Sequence, residues 1–371
     1  MGVRAPAVPH GPRLHLRPSE PDAGPRLPDR APHRPLQERF RVPGDRDEPP
    51  AHVLSRLGPR ATRGDTARTP GCPERHTRLG PAAPASRPCP PARTTKERHH
   101  VSTDTPTHDG HATAEDGARI GFDSGGSGEP LVLLAGQANS RRWWDPVRAD
   151  FSSAHTTITL DCLGTGTSDS PRDAEWSTRR FARDVIAVLD ELGVERAHVY
   201  GTSMGGRVAQ WLAIDHPHRV GALVLGCTSG GGDGTVASDS TVVSALSGDD
   251  TAETLTDLMV GPQWRQSHPG PLPVLGDPAM SDRARRAHRR ASAQHDAWAL
   301  LPRISAPTLV LHGTDDRLTP PANGALLAER IPGATLRLLT GARHAYFLER
   351  SEEAGGAVLD FLAAHPLPRA G

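Results

Sequence analysis

Residues 199–210 read VYGTSMGGRVAQ. On the near side, Ala197–Tyr200 is a short β-prone run. On the far side, Val208, Trp211 and Leu212 recur at helical spacing, so the periodicity changes from strand to helix across Ser203. A serine on such a bend sits where strand and helix nearly touch. Side chains two positions before and after it would collide, and Gly201 and Gly205 stand at those positions in a G-x-S-x-G pattern. The bend presents one hydroxyl at the end of a strand, and Ser203 is therefore a candidate nucleophile.

A serine hydroxyl attacks poorly without a base and a group that orients the base. Two downstream stretches supply candidates. TLVLHGTDDRLTP, residues 308–320, places Asp315 and Asp316 just past an apolar run, and LRLLTGARHAYFLE, residues 336–349, places His344 in a loop just past the next. The carboxyl ends of strands form the rim where open α/β sheets collect ligands. The chain order Ser, Asp, His fits a triad on that rim, with Asp315 and Asp316 both open as its acid.

From about residue 110 onward, apolar runs alternate with helical patterns, which predicts an α/β fold with a mostly parallel central sheet flanked by helices. Strands are expected at Arg119–Phe122, Leu131–Leu134, Thr157–Leu160, Ala197–Tyr200, Ala222–Leu225, Thr308–Leu311 and Thr335–Leu339. Helices are expected at Phe181–Leu192, Ala325–Ile331 and Ala357–Ala364. Residues 229–298 contain no strand-like run and are too long for an ordinary loop. They read as an inserted helical lid, with a helix over Ser281–Leu301 capped by Ser281, between core segments 101–228 and 299–371. Five lid arginines (Arg283, Arg285, Arg286, Arg289 and Arg290) read as a solvated helix face, the alternative being contact with an anionic substrate. Trp143, Trp144, Met259, Trp264 and Trp298 are candidate pocket walls.

Composition narrows the chemistry. The 371 residues carry no net charge, but residues 1–100 hold 19 basic against 10 acidic side chains and 20 of the 37 prolines. That Pro/Arg-rich segment has too few large apolar residues to offset its ordering entropy and reads as a disordered tail. Lys96, the only lysine, excludes a P-loop or Schiff-base chemistry in the body. It stands in KERHHV, residues 96–101, whose Lys-Glu can be encoded as a purine-rich ribosome-binding sequence and whose Val101 can be encoded as an alternative start codon. The native protein is thus expected to begin at Val101, with residues 1–100 translated from upstream DNA. No apolar run is long enough for a signal peptide or a membrane span, and the four cysteines lack metal-ligand spacing. A cytoplasmic protein without metal, cofactor, nucleic-acid or membrane partner is expected. Cys162 and Cys227, each at the end of an apolar run, read as small buried hydrophobes.

With these residues assembled, the body over residues 111–366 resembles the α/β-hydrolase superfamily. It is most similar to the serine-nucleophile branch of lidded esterases and 3-oxoadipate enol-lactonase-like proteins. The resemblance rests on Gly136, DCLGTGTSD (161–169), GTSMGGRVAQW (201–211), HGTDDRLTP (312–320) and GARHAYFLE (341–349). It implies Ser203 as nucleophile, His344 as general base and Asp316 as the orienting acid, because the family's acid usually stands three residues after the glycine, here Gly313. It also implies an oxyanion hole built from the backbone N–H groups of Met204 and Gln137. Two positions depart from the family: Ala135 stands where many members have His, and Leu163 where many have Arg.

The implied function is hydrolysis of an ester, lactone or related acyl bond of a small molecule through an acyl-enzyme. Carbon–carbon bond hydrolysis or cofactor-free perhydrolysis on the same triad is the alternative among enzymes. A non-catalytic ligand-binding receptor of the same fold is the alternative of another class.

Overall fold

Seven strands at the expected apolar runs pair with an eighth in one sheet. The computed structural model describes residues 108–245 and 251–368, together with Gly2; residues 3–100 of the Pro/Arg-rich segment and the expected start at Val101 lie outside the described residues. In chain order the strands are β1 His108–Thr113, β2 Arg119–Gly126, β3 Glu129–Leu134, β4 His155–Leu160, β5 Ala197–Thr202, β6 Val220–Gly226, β7 Thr308–Gly313 and β8 Thr335–Leu339. They lie in the order β1-β2-β4-β3-β5-β6-β7-β8. The β1–β2 and β2–β4 pairs are antiparallel and the others parallel. β5, β6 and β7 are buried along their whole length, as strands covered on both faces must be.

β1 has no apolar run and was not among the expected strands. Its sequence, HDGHAT, is mostly exposed. It is a strand because its backbone pairs with β2 along its whole length, from His108 opposite Ser124 to Thr113 opposite Arg119, and because His108 stacks on Phe122 with ring centroids 5.6 Å apart.

The helices are α1 Arg148–Ser152, α2 Thr178–Glu191, α3 Met204–Asp215, α4 Ser240–Ala245, α5 Thr251–Met259, α6 Pro262–Ser267, α7 Asp282–Ala293, α8 Ala322–Arg330, α9 Tyr346–Glu349 and α10 Ser351–Ala363. One face of the sheet is covered by α2, α3 and α8 through residues such as Val188, Leu212 and Leu327. The other is covered by α1, α9 and α10 through Phe151, Tyr346 and Leu362. α2 begins three residues before the expected start because the Ser177 hydroxyl accepts the Arg180 N–H and caps it.

Between β6 and β7 the chain runs through α4 to α7. Ser281 caps α7 as expected, accepting the Ala284 N–H, but the helix stops at Ala293 rather than continuing to Leu301. Arg207 of α3 donates to the Ser292 carbonyl at 2.6 Å, and beyond it Asp296 pairs with Gly231 while the Ala297 N–H donates to Gly230 O at 2.9 Å. Tertiary hydrogen bonds override local helix propensity there. The chain resumes as a tight 3₁₀ turn, Trp298–Arg303, that contains Pro302. Among the described residues, no helix is long and apolar enough to cross a membrane.

Candidate active site

Ser203 joins β5 to α3 with φ 55° and ψ −120°, a conformation that a side-chain-bearing residue keeps only where its surroundings enforce it. Here the enforcement is visible. The Ser203 N–H donates to Gly226 O at 2.8 Å, and its carbonyl accepts the Thr228 hydroxyl at 2.7 Å. A Cβ on Gly201 would overlap the Gly205 carbonyl, and one on Gly205 would overlap the Leu134 carbonyl of β3. The two glycines thus let the start of α3 lie against the ends of two strands, and Ser203 is half-buried at the turn.

His344 lies after β8, its backbone fixed from α5: its N–H donates to Leu258 O at 3.3 Å, and the next N–H, of Ala345, to Met259 O at 2.8 Å. Its Nδ1 is 2.8 Å from Asp316 Oδ2. Asp316 follows β7, and its other oxygen accepts the N–H groups of Leu318 and Thr319 at 2.9 and 2.8 Å. His312 Nε2 lies 2.7 Å from Thr319 O and 3.3 Å from Asp316 Oδ2. Asp315 instead turns to solvent and accepts the Thr314 hydroxyl. Of the two adjacent carboxylates, Asp316 is the one brought to His344.

Both members of this pair are buried, and each shifts the other. Burial alone would raise the Asp316 carboxyl, but the charge of His344 and hydrogen bonds from His312 and His344 prevail and lower its pKa to about 2. Burial disfavours the His344 imidazolium, yet the Asp316 carboxylate, with Cys227 adding to its effect, holds that histidine well above its usual value. An imidazole so placed takes up a proton readily, with its tautomer fixed by the carboxylate on Nδ1.

Ser203 and His344 line the same cavity, of about 390 Å³, together with Gln137, Asn139 and Trp143. Among the described residues, no hydrogen bond joins the Ser203 hydroxyl to the imidazole, a separation common in unliganded sites that close on substrate. Gln137 follows β3; its carbonyl accepts the Asn139 side-chain amide at 2.9 Å, while its N–H has no partner among the described residues. Met204 is the first residue of α3, where backbone N–H groups lack intrahelical acceptors. Both N–H groups are thus available for a developing negative charge.

Sequence reasoning and structure part at several residues. Trp143 and Met259 line the cavity, whereas Trp144, Trp264 and Trp298 do not. Arg285, half-buried, and Arg289, on the solvated face as expected, also line the cavity. Cys227 is buried as expected, but its sulfur also lies with Asp316 and His344 in a trio whose ligand atoms fall within 4.8 Å of one another. The signal was its place just past β6, on the same rim as the other site residues. His288 of α7 was missed altogether. Its Nε2 reaches Leu163 O at 2.8 Å and its Nδ1 accepts the Ala138 N–H at 3.2 Å, so α7 holds the loop that carries Gln137. The Leu163 side chain is fully buried and its carbonyl makes this contact.

A sequence profile of the alpha/beta hydrolase fold matches residues 129–253. The chain is 32% identical over 291 residues to a 2-hydroxy-6-oxononadienedioate/2-hydroxy-6-oxononatrienedioate hydrolase from Paraburkholderia phymatum, covering 70% of this chain and 99% of that one. Among solved structures, an N-acyl homoserine lactone degrading enzyme is 31% identical with a TM-score of 0.60, covering 68% of this chain and 100% of the other. The enol-lactonase of Burkholderia xenovorans is 25% identical with a TM-score of 0.59 and the same coverage of each chain.

Proposed function

The chain is an enzyme of the α/β-hydrolase superfamily, in its enol-lactonase-like branch, and we propose that it cleaves an ester, lactone or related acyl bond of a small molecule through an acyl-enzyme. In this reading His344 removes the proton of Ser203 as the hydroxyl attacks the carbonyl. The Met204 and Gln137 N–H groups hold the oxyanion, each contributing roughly 3 to 4 kcal/mol to the transition state. Asp316 keeps the His344 tautomer and stabilises the imidazolium, which then protonates the leaving group. Water releases the acyl group by the same route. Residues 229–298 act as the lid over the cavity.

The observation that carries the reading is the convergence of a strained, glycine-flanked serine and a buried Asp–His pair at 2.8 Å on one cavity. A second reading, hydrolysis of a carbon–carbon bond on the same residues, is favoured by the Paraburkholderia relative, a 2-hydroxy-6-oxononadienedioate/2-hydroxy-6-oxononatrienedioate hydrolase. The test is hydrolysis of p-nitrophenyl butyrate by the wild type and Ser203→Ala. Turnover that disappears in the variant supports the acyl-bond reading. Turnover retained in Ser203→Ala contradicts it. Inertness toward esters and lactones, with cleavage of a vinylogous 1,5-diketone, favours the second.

A further inference from the structure

The loop after β3 that carries Gln137 is held in place by the segment inserted between β6 and β7. Gly136–Asn139 is a four-residue turn, closed by the Asn139 N–H donating to Gly136 O at 3.3 Å. Its third residue, Ala138, has φ 58°. A turn with positive φ at that place favours glycine, because a Cβ crowds the backbone there. An alanine keeps the conformation only where its surroundings hold it.

Those surroundings are specific. The peptide between Gln137 and Ala138 is gripped at both ends: Gln137 O accepts Asn139 Nδ2 at 2.9 Å, and the Ala138 N–H donates to His288 Nδ1 at 3.2 Å. The next peptide is pinned through Ala138 O, which accepts the Asp277 N–H at 2.7 Å. Asn139 joins the loop to the inserted segment, its Oδ1 accepting the Gly276 N–H at 2.8 Å. One partner is a donor and the other an acceptor, so the orientation of the amide is fixed by both, and the side chain is only 6% exposed. Among the described residues, the Gln137 N–H is left without an acceptor, and Gln137 lines the cavity with Ser203.

We propose that Asn139 is a positioning residue for the oxyanion hole: its amide, anchored on the Gly276 backbone, fixes the Gln137–Ala138 peptide and with it the direction of the Gln137 N–H. This rests on the acyl-bond reading above and adds to it that the hole is assembled jointly by the sheet and the inserted segment. Without the amide the turn relaxes toward negative φ at Ala138, and the neighbouring Gln137 N–H loses its fixed direction.

The test compares p-nitrophenyl butyrate with its thiono analogue, in which sulfur replaces the carbonyl oxygen. Sulfur is a weak acceptor, so the thiono ester draws little on the hole and reports damage elsewhere. Removing one oxyanion donor outright costs about 10²- to 10³-fold in kcat. Misdirecting one in Asn139→Ala is expected to lower kcat for the oxygen ester by roughly 10- to 100-fold with KM within about twofold, and to change the thiono ester by about threefold at most. Asn139→Asp keeps the acceptor for Gly276 but loses the donor to Gln137 O, and is expected to lower the oxygen-over-sulfur preference as Asn139→Ala does. It carries the test if the alanine variant fails to fold. A preference unchanged in the folded variants, whether both esters slow equally or neither slows, overturns the proposal.

Hydrogen exchange followed by mass spectrometry separates this proposal from the acyl-bond reading, because it needs no substrate. In Asn139→Asp, peptides over residues 136–143 are expected to exchange roughly tenfold faster than in wild type, with those over β5 and α3 unchanged. That result supports the anchoring of the loop even if the wild type cleaves neither ester, a failure that then counts against the acyl-bond reading alone. Unchanged exchange over residues 136–143 overturns the proposal whether or not esters are cleaved.

Discussion

The strand-end wall of the cavity and the α7 wall differ in how tightly their side chains are held. At the strand ends, Asp316 accepts two backbone N–H groups and a histidine, and His344 hangs from two carbonyls of α5 through its own and the next N–H. On α7, Arg289 is exposed and without a partner among the described residues. His288, one residue earlier and fully buried, makes two hydrogen bonds to loops of the core. Groups that move protons need fixed geometry, and strand ends supply it. An exposed side chain on one face of an inserted helix keeps its rotamer freedom instead.

Substitutions at the strand-end wall are therefore expected to change rate steeply. Asp316→Asn is expected to lower kcat by about 10³- to 10⁴-fold, because the amide no longer favours the required tautomer. Asp315→Asn, exposed and away from His344, leaves steady-state kinetics within about twofold. A reversal of these two effects breaks the comparison at its strongest point.

The turn itself tolerates little. Gly205→Ala drives a methyl group into the Leu134 carbonyl, and chemical denaturation is expected to show a loss of about 3 kcal/mol or failure to fold. An unchanged denaturation midpoint would mean that α3 is free to shift away from β3.

His288 tests the junction of the two walls. Its removal in His288→Ala is expected to cost about 2 kcal/mol, the value of two partly buried hydrogen bonds. It should also lower kcat more than it raises KM, since the Ala138 N–H that it holds is next to Gln137. Burial lowers the pKa of His288 to about 4 and of His295 to about 3. Both bind fewer protons folded than unfolded, so their contribution is present above the ordinary histidine value near 6.5 and is lost as pH falls toward 4 and 3. Stability measured by denaturation from pH 7 to pH 4 should fall, and the slope should be shallower in His288→Ala.

The smallest effect is on the pH profile. His344 is raised above the usual histidine value, so kcat/KM should climb along a limb centred above 6.5 as the imidazole loses its proton. Cys227→Ser, which keeps a polar atom beside the pair, should shift that limb modestly. A limb centred below 6.5 would contradict the coupling to Asp316.

The legible part of this molecule lies in the sheet. Runs such as Thr308–Leu311 and Ala222–Leu225 announce themselves because both faces of a central strand are buried, so nearly every residue is apolar. Ser203 and Asp316 follow such runs, His344 follows the mostly exposed edge strand β8, and their neighbourhood could be inferred from chain order. β1 escaped because an edge strand needs only backbone partners. The end of α7 escaped because Arg207 and Gly231, far away in sequence, determine it. Cys227 and Arg289 carry no local mark that distinguishes a rim or cavity position from a core thiol or a solvated arginine.

The central claim is that Ser203 is the nucleophile. Its most direct test is intact-mass and peptide-mapping analysis of the folded protein after exposure to a fluorophosphonate. One adduct is predicted, on the peptide containing Ser203, abolished by Ser203→Ala and slowed in Asp316→Asn. No adduct on the folded wild type, or an adduct on another residue that persists in Ser203→Ala, would contradict the claim.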